Sequence, residues 1–160
     1  MANDATAGCI NFPVLSMLDE AGHDGHRRVP QQRWGEISDD AIRYASPVDV
    51  LSRMATQDME IVGYPLRKGE LVLFSLICAN HDPTRFGESA DAVTLEPGKR
   101  IGIPFGIGTH VCVGNKLSRV ILKEAYAALA RLPAMRTTGR PTYGIGKTIR
   151  TITSLPIEFQ

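Results

Sequence analysis

The stretch that decides the fold reads Phe-Gly-Ile-Gly-Thr-His-Val-Cys-Val-Gly, at residues 105–114. It stands directly before a run of apolar residues at helical spacing, which begins at Leu117 and ends at Pro133. This spacing predicts a long helix over 115–132, with Cys112 just before its N-terminus. The unpaired N–H groups and positive potential of a helix N-terminus favour a thiolate over a thiol.

The segment before this stretch predicts a small sheet and a loop. Short apolar runs separated by glycine and proline favour β structure over 50–76. Residues 80–104 show little periodicity and predict an ordered loop, which in a compact domain usually serves a function. Ser38 is predicted to cap a short helix over 38–45, which ends where Ser46 precedes proline.

The two ends of the chain carry weaker patterns. Residues 149–159 are rich in β-branched side chains and predict a return to strand. Residues 1–35 are irregular in pattern, and we interpret them as a weak helix followed by a linker. The fold class expected from these patterns is α+β.

Composition excludes several classes of protein. The chain has 160 residues, 43% of them hydrophobic, and a net charge of +1, which is typical of one globular domain with no electrostatic preference for nucleic acid. No stretch approaches the roughly 20 apolar residues that span a bilayer, so we expect no membrane segment. Cys9, Cys78 and Cys112 form no paired spacing, and the first residues lack the pattern of a signal peptide. We therefore expect a reducing, cytoplasmic setting.

The 105–114 stretch matches, at each fixed position, the haem-binding signature F-G-x-G-x-H-x-C-x-G of the cytochrome P450 family. From average residue frequencies, such a match arises by chance on the order of once in a hundred million start positions. The chain thus resembles the C-terminal part of the P450 fold, which is mostly helical with small β-sheets. The resemblance implies that Cys112 is both the catalytic and the metal-binding residue, as thiolate ligand to haem iron. Thiolate ligation pushes electron density onto the iron and favours O–O cleavage.

The resemblance also implies how the other loop residues serve the haem. Gly106, Gly108 and Gly114 would let the backbone approach the sulfur and the flat macrocycle, where a Cβ would clash. Phe105 belongs to the same cofactor-binding signature. His110 would donate to a haem propionate, as would an arginine that lies outside the loop, Arg53.

Upstream motifs extend the resemblance over residues 38–160 in the family's order. Asp40-Ala-Ile-Arg43 resembles the E-x-x-R helix, where these two residues have a structural role, and Ser46-Pro-Val resembles its S-P-V exit. Ala79-Asn-His-Asp-Pro83 resembles A-N-R-D-P. The resemblance divides the chain into an N-terminal segment, 1–35, holding a remnant of the oxygen-activating helix, and a haem-thiolate-binding portion, 36–160.

Two departures from the family pattern change what the resemblance implies. The E-x-x-R glutamate is Asp40 here, and Leu95 stands where a loop arginine would complete a salt-bridged triad, leaving Arg100 as a substitute. An arginine left buried and unpaired would cost several kcal/mol. In addition, the stretch 7–11, Ala-Gly-Cys-Ile-Asn, offers neither the acid nor the threonine expected of the oxygen-activating helix.

Other interpretations of the same residues are weaker. A dinucleotide fingerprint at 106–111 lacks its third glycine, because Val111 stands there, and a phosphate loop ending at Lys147 has proline at position 141 instead of glycine. A zinc site that began at His110 and Cys112 would lack the spaced second half. A lone Cys112 would by default be a buried structural cysteine, but the surrounding motif reverses that expectation.

Two hypotheses about function remain open. The first is a haem-thiolate monooxygenase, in truncated or fragmentary form, which oxidises a small organic substrate with electrons from a redox partner such as a ferredoxin. The second is a non-catalytic truncated homologue that binds haem weakly or pairs with an N-terminal polypeptide that supplies the missing half. Neither hypothesis includes a nucleic-acid or membrane partner.

Overall fold

The computed structural model describes residues 2–18, 29–95, 102–144, 146 and 148–160. Within them, the α-helices are α1 Ala2–Leu18, α2 Ser38–Ala45, α3 Leu76–Asn80, α4 Pro83–Phe86 and α5 Asn115–Leu129. The strands are β1 Val50–Met54, β2 Met59–Ile61, β3 Tyr64–Leu66, β4 Leu71–Ser75, β5 Met135–Thr137, β6 Thr142–Gly144, β7 Thr151–Ser154 and β8 Ile157–Phe159. Short 3-10 segments cover Gln31–Glu36, Gly87–Ser89 and Gly108–His110.

The strands pair antiparallel in four two-stranded ladders: β1 with β4, β2 with β3, β5 with β8, and β6 with β7. The β structure predicted over 50–76 and the strands at the C-terminal end are confirmed. The short helix over 38–45 is also confirmed, but the capping role of Ser38 is wrong. Ile37 occupies the N-cap position, no side chain caps it, and Ser38 is the first helical residue.

The helix predicted within residues 1–35 is present, but it is longer and more regular than the weak helix expected. Residues 2–18 form a continuous helix, and Gln31–Glu36 forms a 3-10 turn, while 19–28 lie outside the described residues. The sequence signal of this helix is weak because its apolar residues are not confined to one face. It contacts α2, α5, β5 and β7, and a helix that is covered on several sides carries no clear amphipathic pattern.

Helix α1 contains a proline, and a side chain of α5 supplies the hydrogen bond that this proline cannot donate. Pro13 has no N–H, so it cannot donate to the carbonyl of Cys9 four residues earlier. The hydroxyl of Tyr126, itself fully buried, donates to that carbonyl oxygen instead. Burial and the neighbouring Cys9 raise the pKa of Tyr126 well above its usual value, so the phenol keeps its proton and acts as donor.

The core lies where α1, α2 and α5 meet, and its largest fully buried side chains include Trp34, Ile42, Leu122 and Tyr126. Gln31 secures the C-terminal end of α5. Its amide nitrogen lies 3.2 Å from the carbonyl oxygen of Leu129 and 2.9 Å from that of Leu132. The carbonyl of Leu129 also accepts from the backbone amide of Leu132 at 3.2 Å, and the side chain of Gln31 adds a donor at this helix end.

The two-residue turn of the β2–β3 hairpin contains a residue that is unfavourable there. Ile61 pairs with Tyr64, so Val62 and Gly63 form a two-residue loop, and both have positive φ, 50° and 80°. Such turns favour Asn-Gly, because a β-branched side chain is strained in the left-handed region.

The described helices include none that is both long and apolar enough to cross a membrane. The segment 80–104, predicted as a loop, contains the short capped helix α4 and the 3-10 segment Gly87–Ser89 as far as it is described. The carboxylate of Asp82 accepts from the amide of Thr84 at 2.8 Å at the start of α4.

Candidate cofactor site at the cysteine loop

Residues 102–114, here called the cysteine loop, close on themselves through backbone hydrogen bonds. The amide of Gly106 donates to the carbonyl of Ile103 at 2.9 Å, and the amide of Cys112 donates to the carbonyl of Phe105, also at 2.9 Å. Gly106 and Gly108 have φ of 70° and 72°, in the left-handed region that glycine adopts without a steric penalty. These two glycines are therefore required by the path of the backbone.

Cys112 lies exposed at the start of α5. Gly114 occupies the N-cap position without a side-chain acceptor, and the first turn contains no acidic residue. The backbone amide of Asn115 and its side-chain amide both donate to the carbonyl of Cys112, at 3.2 and 3.1 Å. Cys112 thus lies beside the N-terminus of a helix.

The steric need for glycine at position 114 is smaller than predicted. A Cβ at this position would lie 3.8 Å from the sulfur of Cys112, which is an ordinary van der Waals contact. Close approach to the sulfur therefore does not by itself require glycine here.

The three cysteines differ in their surroundings. Cys9 is buried in α1, and burial raises the pKa of its thiol to about 12, which makes it inert as a ligand near neutral pH. Cys78 and Cys112 are both exposed. Of these two, only Cys112 lies beside the N-terminus of a long helix, because Cys78 falls inside the five-residue α3.

The ring of Phe105 contacts an arginine side chain of helix α5. The guanidinium carbon of Arg119 lies 5.3 Å from the centre of the Phe105 ring, and the same guanidinium forms an ion pair with Asp39 of α2. A cation over a ring face is attracted by the ring quadrupole. Arg119 therefore connects the cysteine loop to two helices.

Arg53 lies on the side of the β1–β4 ladder that faces the cysteine loop. Side chains two positions apart on a strand share a face, so Arg53 shares one with Leu51. The Cδ1 atom of Leu51 lies 3.9 Å from the position of a Cβ at Gly106. Arg53 is exposed and donates to the carbonyl of Ser52 at 2.8 Å.

His110 is also exposed, in the 3-10 turn of the loop. The structure therefore brings the loop residues and the Arg53 face together, with both candidate propionate donors open to solvent.

The surfaces around Cys112 suit a flat, apolar group that carries carboxylates. Large contiguous patches of exposed apolar side chains are uncommon on the surface of a folded monomeric protein. Here Val113 is completely exposed, and Leu117 and Val120 of α5 are exposed by 65% and 61%. An exposed thiol, apolar surface, and donors at Arg53 and His110 form a donor set that fits haem.

Asp40 and Arg43 form a buried structural centre beneath the loop. The Nε of Arg43 donates to Asp40 at 2.6 Å, and its other nitrogens donate to the carbonyls of Asn80, Ala90 and Ala92 at 2.6, 2.8 and 2.8 Å. The ring of Phe86 lies 4.8 Å from the guanidinium carbon. Arg43 is thus buried with its charge and its donors satisfied.

The shorter Asp40 acquires partners that the sequence did not suggest. The amide of Thr94 donates to the second carboxylate oxygen of Asp40 at 2.6 Å, and its hydroxyl lies 3.2 Å away. Leu95, at the place of the family's loop arginine, packs against the core instead. Arg100, the suggested substitute, lies outside the described residues.

Comparison with known proteins agrees with this geometry. The family model described as Cytochrome P450 matches residues 39–131. The 20-oxo-5-O-mycaminosyltylactone 23-monooxygenase of Streptomyces fradiae is 42% identical over 137 residues, 85% of this chain and 32% of that protein. The Biotin biosynthesis cytochrome P450 of Bacillus subtilis (strain 168) is 29% identical over 99% of this chain and 40% of that protein.

Solved structures show the same fold. The crystal structure of CalO2 aligns with a TM-score of 0.81 at 31% identity, over 98% of this chain and 40% of that one. P450BioI, crystallised in complex with an acyl carrier protein ligated with hexadec-9Z-enoic acid, aligns with a TM-score of 0.78 at 28% identity.

The chain belongs to the cytochrome P450 family, whose cofactor is haem. The expected α+β fold, the C-terminal part of the P450 fold, is confirmed. The chain spans about a third to two fifths of the length of the relatives it matches.

Proposed function

We propose that this chain is the haem-binding portion of a monooxygenase in which Cys112 holds the iron as a thiolate. The observation that carries the proposal is the placement of the full signature, 105–114, on a closed loop that exposes Cys112 at the N-terminus of α5. Haem bound there supplies the activation of dioxygen, with two electrons from a redox partner.

The residues of the chain bind and orient that group. The helix end beside Cys112 stabilises the negative sulfur, and the glycines at 106 and 108 give the backbone its path. Arg53 and His110 donate to the two propionates. The apolar side chains of α5, with Leu117 the most exposed, exclude water from the sulfur side once they are covered.

The substrate and the electron donor are proposed more coarsely. We propose a small organic substrate and a ferredoxin-type redox partner, with no nucleic acid or membrane involved. The P450BioI complex shows that a related protein takes an acid ligated to a carrier protein, so a carrier-bound substrate belongs to the same proposal. A cytoplasmic setting stays a prediction.

The first test uses haem and carbon monoxide. The purified chain, loaded with haem, reduced and exposed to carbon monoxide, is expected to show the strongly red-shifted Soret band of thiolate ligation. Cys112→Ser should abolish this band, whereas Cys78→Ser, which alters the other exposed cysteine, should retain it. A band that survives Cys112→Ser would reject the proposal.

A second candidate function is haem binding without efficient catalysis, unless further polypeptide covers the site. It is favoured by the exposed apolar side chains beside Cys112. Water then reaches the bound group, and neither Ile10 nor Asn11 offers the acid or alcohol for proton delivery.

A turnover assay separates the two candidates. With surrogate redox proteins and a broad substrate panel, the loaded chain is expected to release most electrons as peroxide, and a complementary N-terminal polypeptide should restore coupling. Efficient product formation per electron by the 160-residue chain alone would overturn the second candidate.

A further inference from the structure

Asn80 joins helix α2 to the start of the cysteine loop. It is fully buried, and its side-chain oxygen accepts from the amide of Ile103 at 2.6 Å. Its side-chain nitrogen donates to the hydroxyl of Ser46 at 2.7 Å, and its backbone carbonyl accepts from Arg43. One residue therefore connects the buried centre around Arg43 with the first residues of the loop.

The amide group meets a need that other side chains of this size do not. The hydroxyl hydrogen of Ser46 goes to the carbonyl of Arg43 at 2.7 Å, so its oxygen is left to accept from Asn80. On the opposite side of the Asn80 side chain, the backbone amide of Ile103 requires an acceptor. Asparagine presents one donor group and one acceptor at this length, whereas aspartate presents acceptors only when ionised.

The neighbouring glycine allows this contact to form. A Cβ at Gly102 would lie 2.2 Å from the side-chain oxygen of Asn80 and 2.8 Å from the Cγ atom of Arg43. Neither approach is sterically possible without a shift. Residue 102 thus has to be glycine for Asn80 to reach Ile103.

The contact is relayed to the cysteine through the backbone. The carbonyl of Ile103 accepts from Gly106, and the carbonyl of Phe105 accepts from Cys112, both at 2.9 Å. Anchoring Ile103 therefore fixes one end of the closed turn that presents Cys112.

We propose that Asn80 is a positioning residue that sets the place of Cys112 through Ile103 and the closed turn. The proposal deepens the proposed function and rests on it, because the position of the sulfur matters there for holding the haem iron.

Amide exchange in the chain without haem tests the positioning itself. Asn80→Ala removes both side-chain bonds, while the matched control Ser46→Ala removes the partner of the amide nitrogen and leaves the bond to Ile103. By NMR, the Ile103 and Cys112 amides should exchange roughly 5–30-fold faster in Asn80→Ala than in Ser46→Ala, the factor that a loss of one or two kcal/mol produces. Equal rates would overturn the proposal.

A conservative variant adds a rescue. Asn80→Asp keeps an acceptor for Ile103 but offers no donor to Ser46, so the Ile103 amide should exchange more slowly than in Asn80→Ala, although not as slowly as in the control. Exchange as fast in Asn80→Asp as in Asn80→Ala would contradict the assignment. Should Asn80→Ala fail to fold, Asn80→Ser takes its place, because its shorter side chain does not reach Ile103.

The carbon monoxide spectrum connects position with ligation. The share of the red-shifted thiolate band should fall in Asn80→Ala and remain unchanged in Ser46→Ala. An unchanged share in both would refute the link to ligation. Absence of the band in the unaltered chain would reject the proposed function instead, while the exchange rates would still decide the role of Asn80.

Discussion

Two arginines, ten positions apart in the sequence, occupy opposite kinds of surroundings. Arg43 is fully buried and donates to one carboxylate and three carbonyls, whereas Arg53 is exposed and donates to the adjacent carbonyl of Ser52. The same contrast holds for the regions around them. The helical core satisfies its own groups, while the face with Cys112 presents donors and apolar side chains to solvent. The core therefore provides stability, and the exposed face is the proposed binding surface.

The largest effect is expected from Arg43. Arg43→Ala removes the buried ion pair with Asp40 and leaves three carbonyls without their guanidinium donor, so the free energy of unfolding should fall by about 3–5 kcal/mol. Arg53→Ala is the matched control and should change it by less than about 0.5 kcal/mol. Urea unfolding measures both. Similar losses in the two variants would remove the contrast between core and face.

The next effect concerns the carbonyl that Pro13 leaves without a helical donor. Tyr126→Phe should lower the free energy of unfolding by about 1–3 kcal/mol, because the carbonyl of Cys9 is then buried without a partner. In a Pro13→Ala background, residue 13 regains its N–H and the loss should be smaller. A double-mutant cycle measures this coupling. Strict additivity would show that Tyr126 does not compensate for Pro13.

On the exposed face, Arg53→Ala and His110→Ala should weaken haem retention without changing the axial ligand. Each removes a donor worth about 1–3 kcal/mol. Transfer of haem to a haem-scavenging protein measures retention, and the carbon monoxide spectrum checks the ligand. Transfer as slow as in the unaltered chain for both variants would exclude the propionate role.

The smallest effect is a gain in stability at Val62. Val62→Asn should raise the free energy of unfolding by about 1 kcal/mol, because asparagine tolerates the left-handed region and Asn-Gly suits this turn. Val62→Ala, which keeps a Cβ at positive φ but removes the β-branch, is the control and should gain less. A thermal midpoint that does not rise in Val62→Asn would contradict the assigned strain.

The sequence allows the cysteine loop and its helix to be predicted, because glycine, cysteine and apolar spacing are local signals. The short helix over 38–45 follows from its acidic first turn and the Ser46-Pro47 step that ends it, although Ser38 does not cap it. The partners of Asp40 do not, since Thr94 lies 54 positions away and has no motif of its own. Asn80 belongs to the motif at residues 79–83, but its contact with Ile103 depends on how two distant segments pack.

Helix α1 was predicted only as a weak helix, for a different reason. Pro13 opposes helix formation locally, and burial on several sides removes the amphipathic pattern. Tertiary contacts, above all the hydroxyl of Tyr126, compensate for what the local sequence disfavours. Strands β5 and β6 have three residues each, too few for a period-two pattern to be recognised.

The closed backbone of the cysteine loop has a thermodynamic consequence. Ordering a residue's backbone costs roughly 1–2 kcal/mol in conformational entropy. Residues 105–112 are already ordered when the chain folds, so this entropy is lost on folding and not on binding. The loop is thus preorganised, and binding a flat group requires little further loss of freedom there. Its association should be governed by encounter and desolvation of the exposed face, with no slow folding step in the loop.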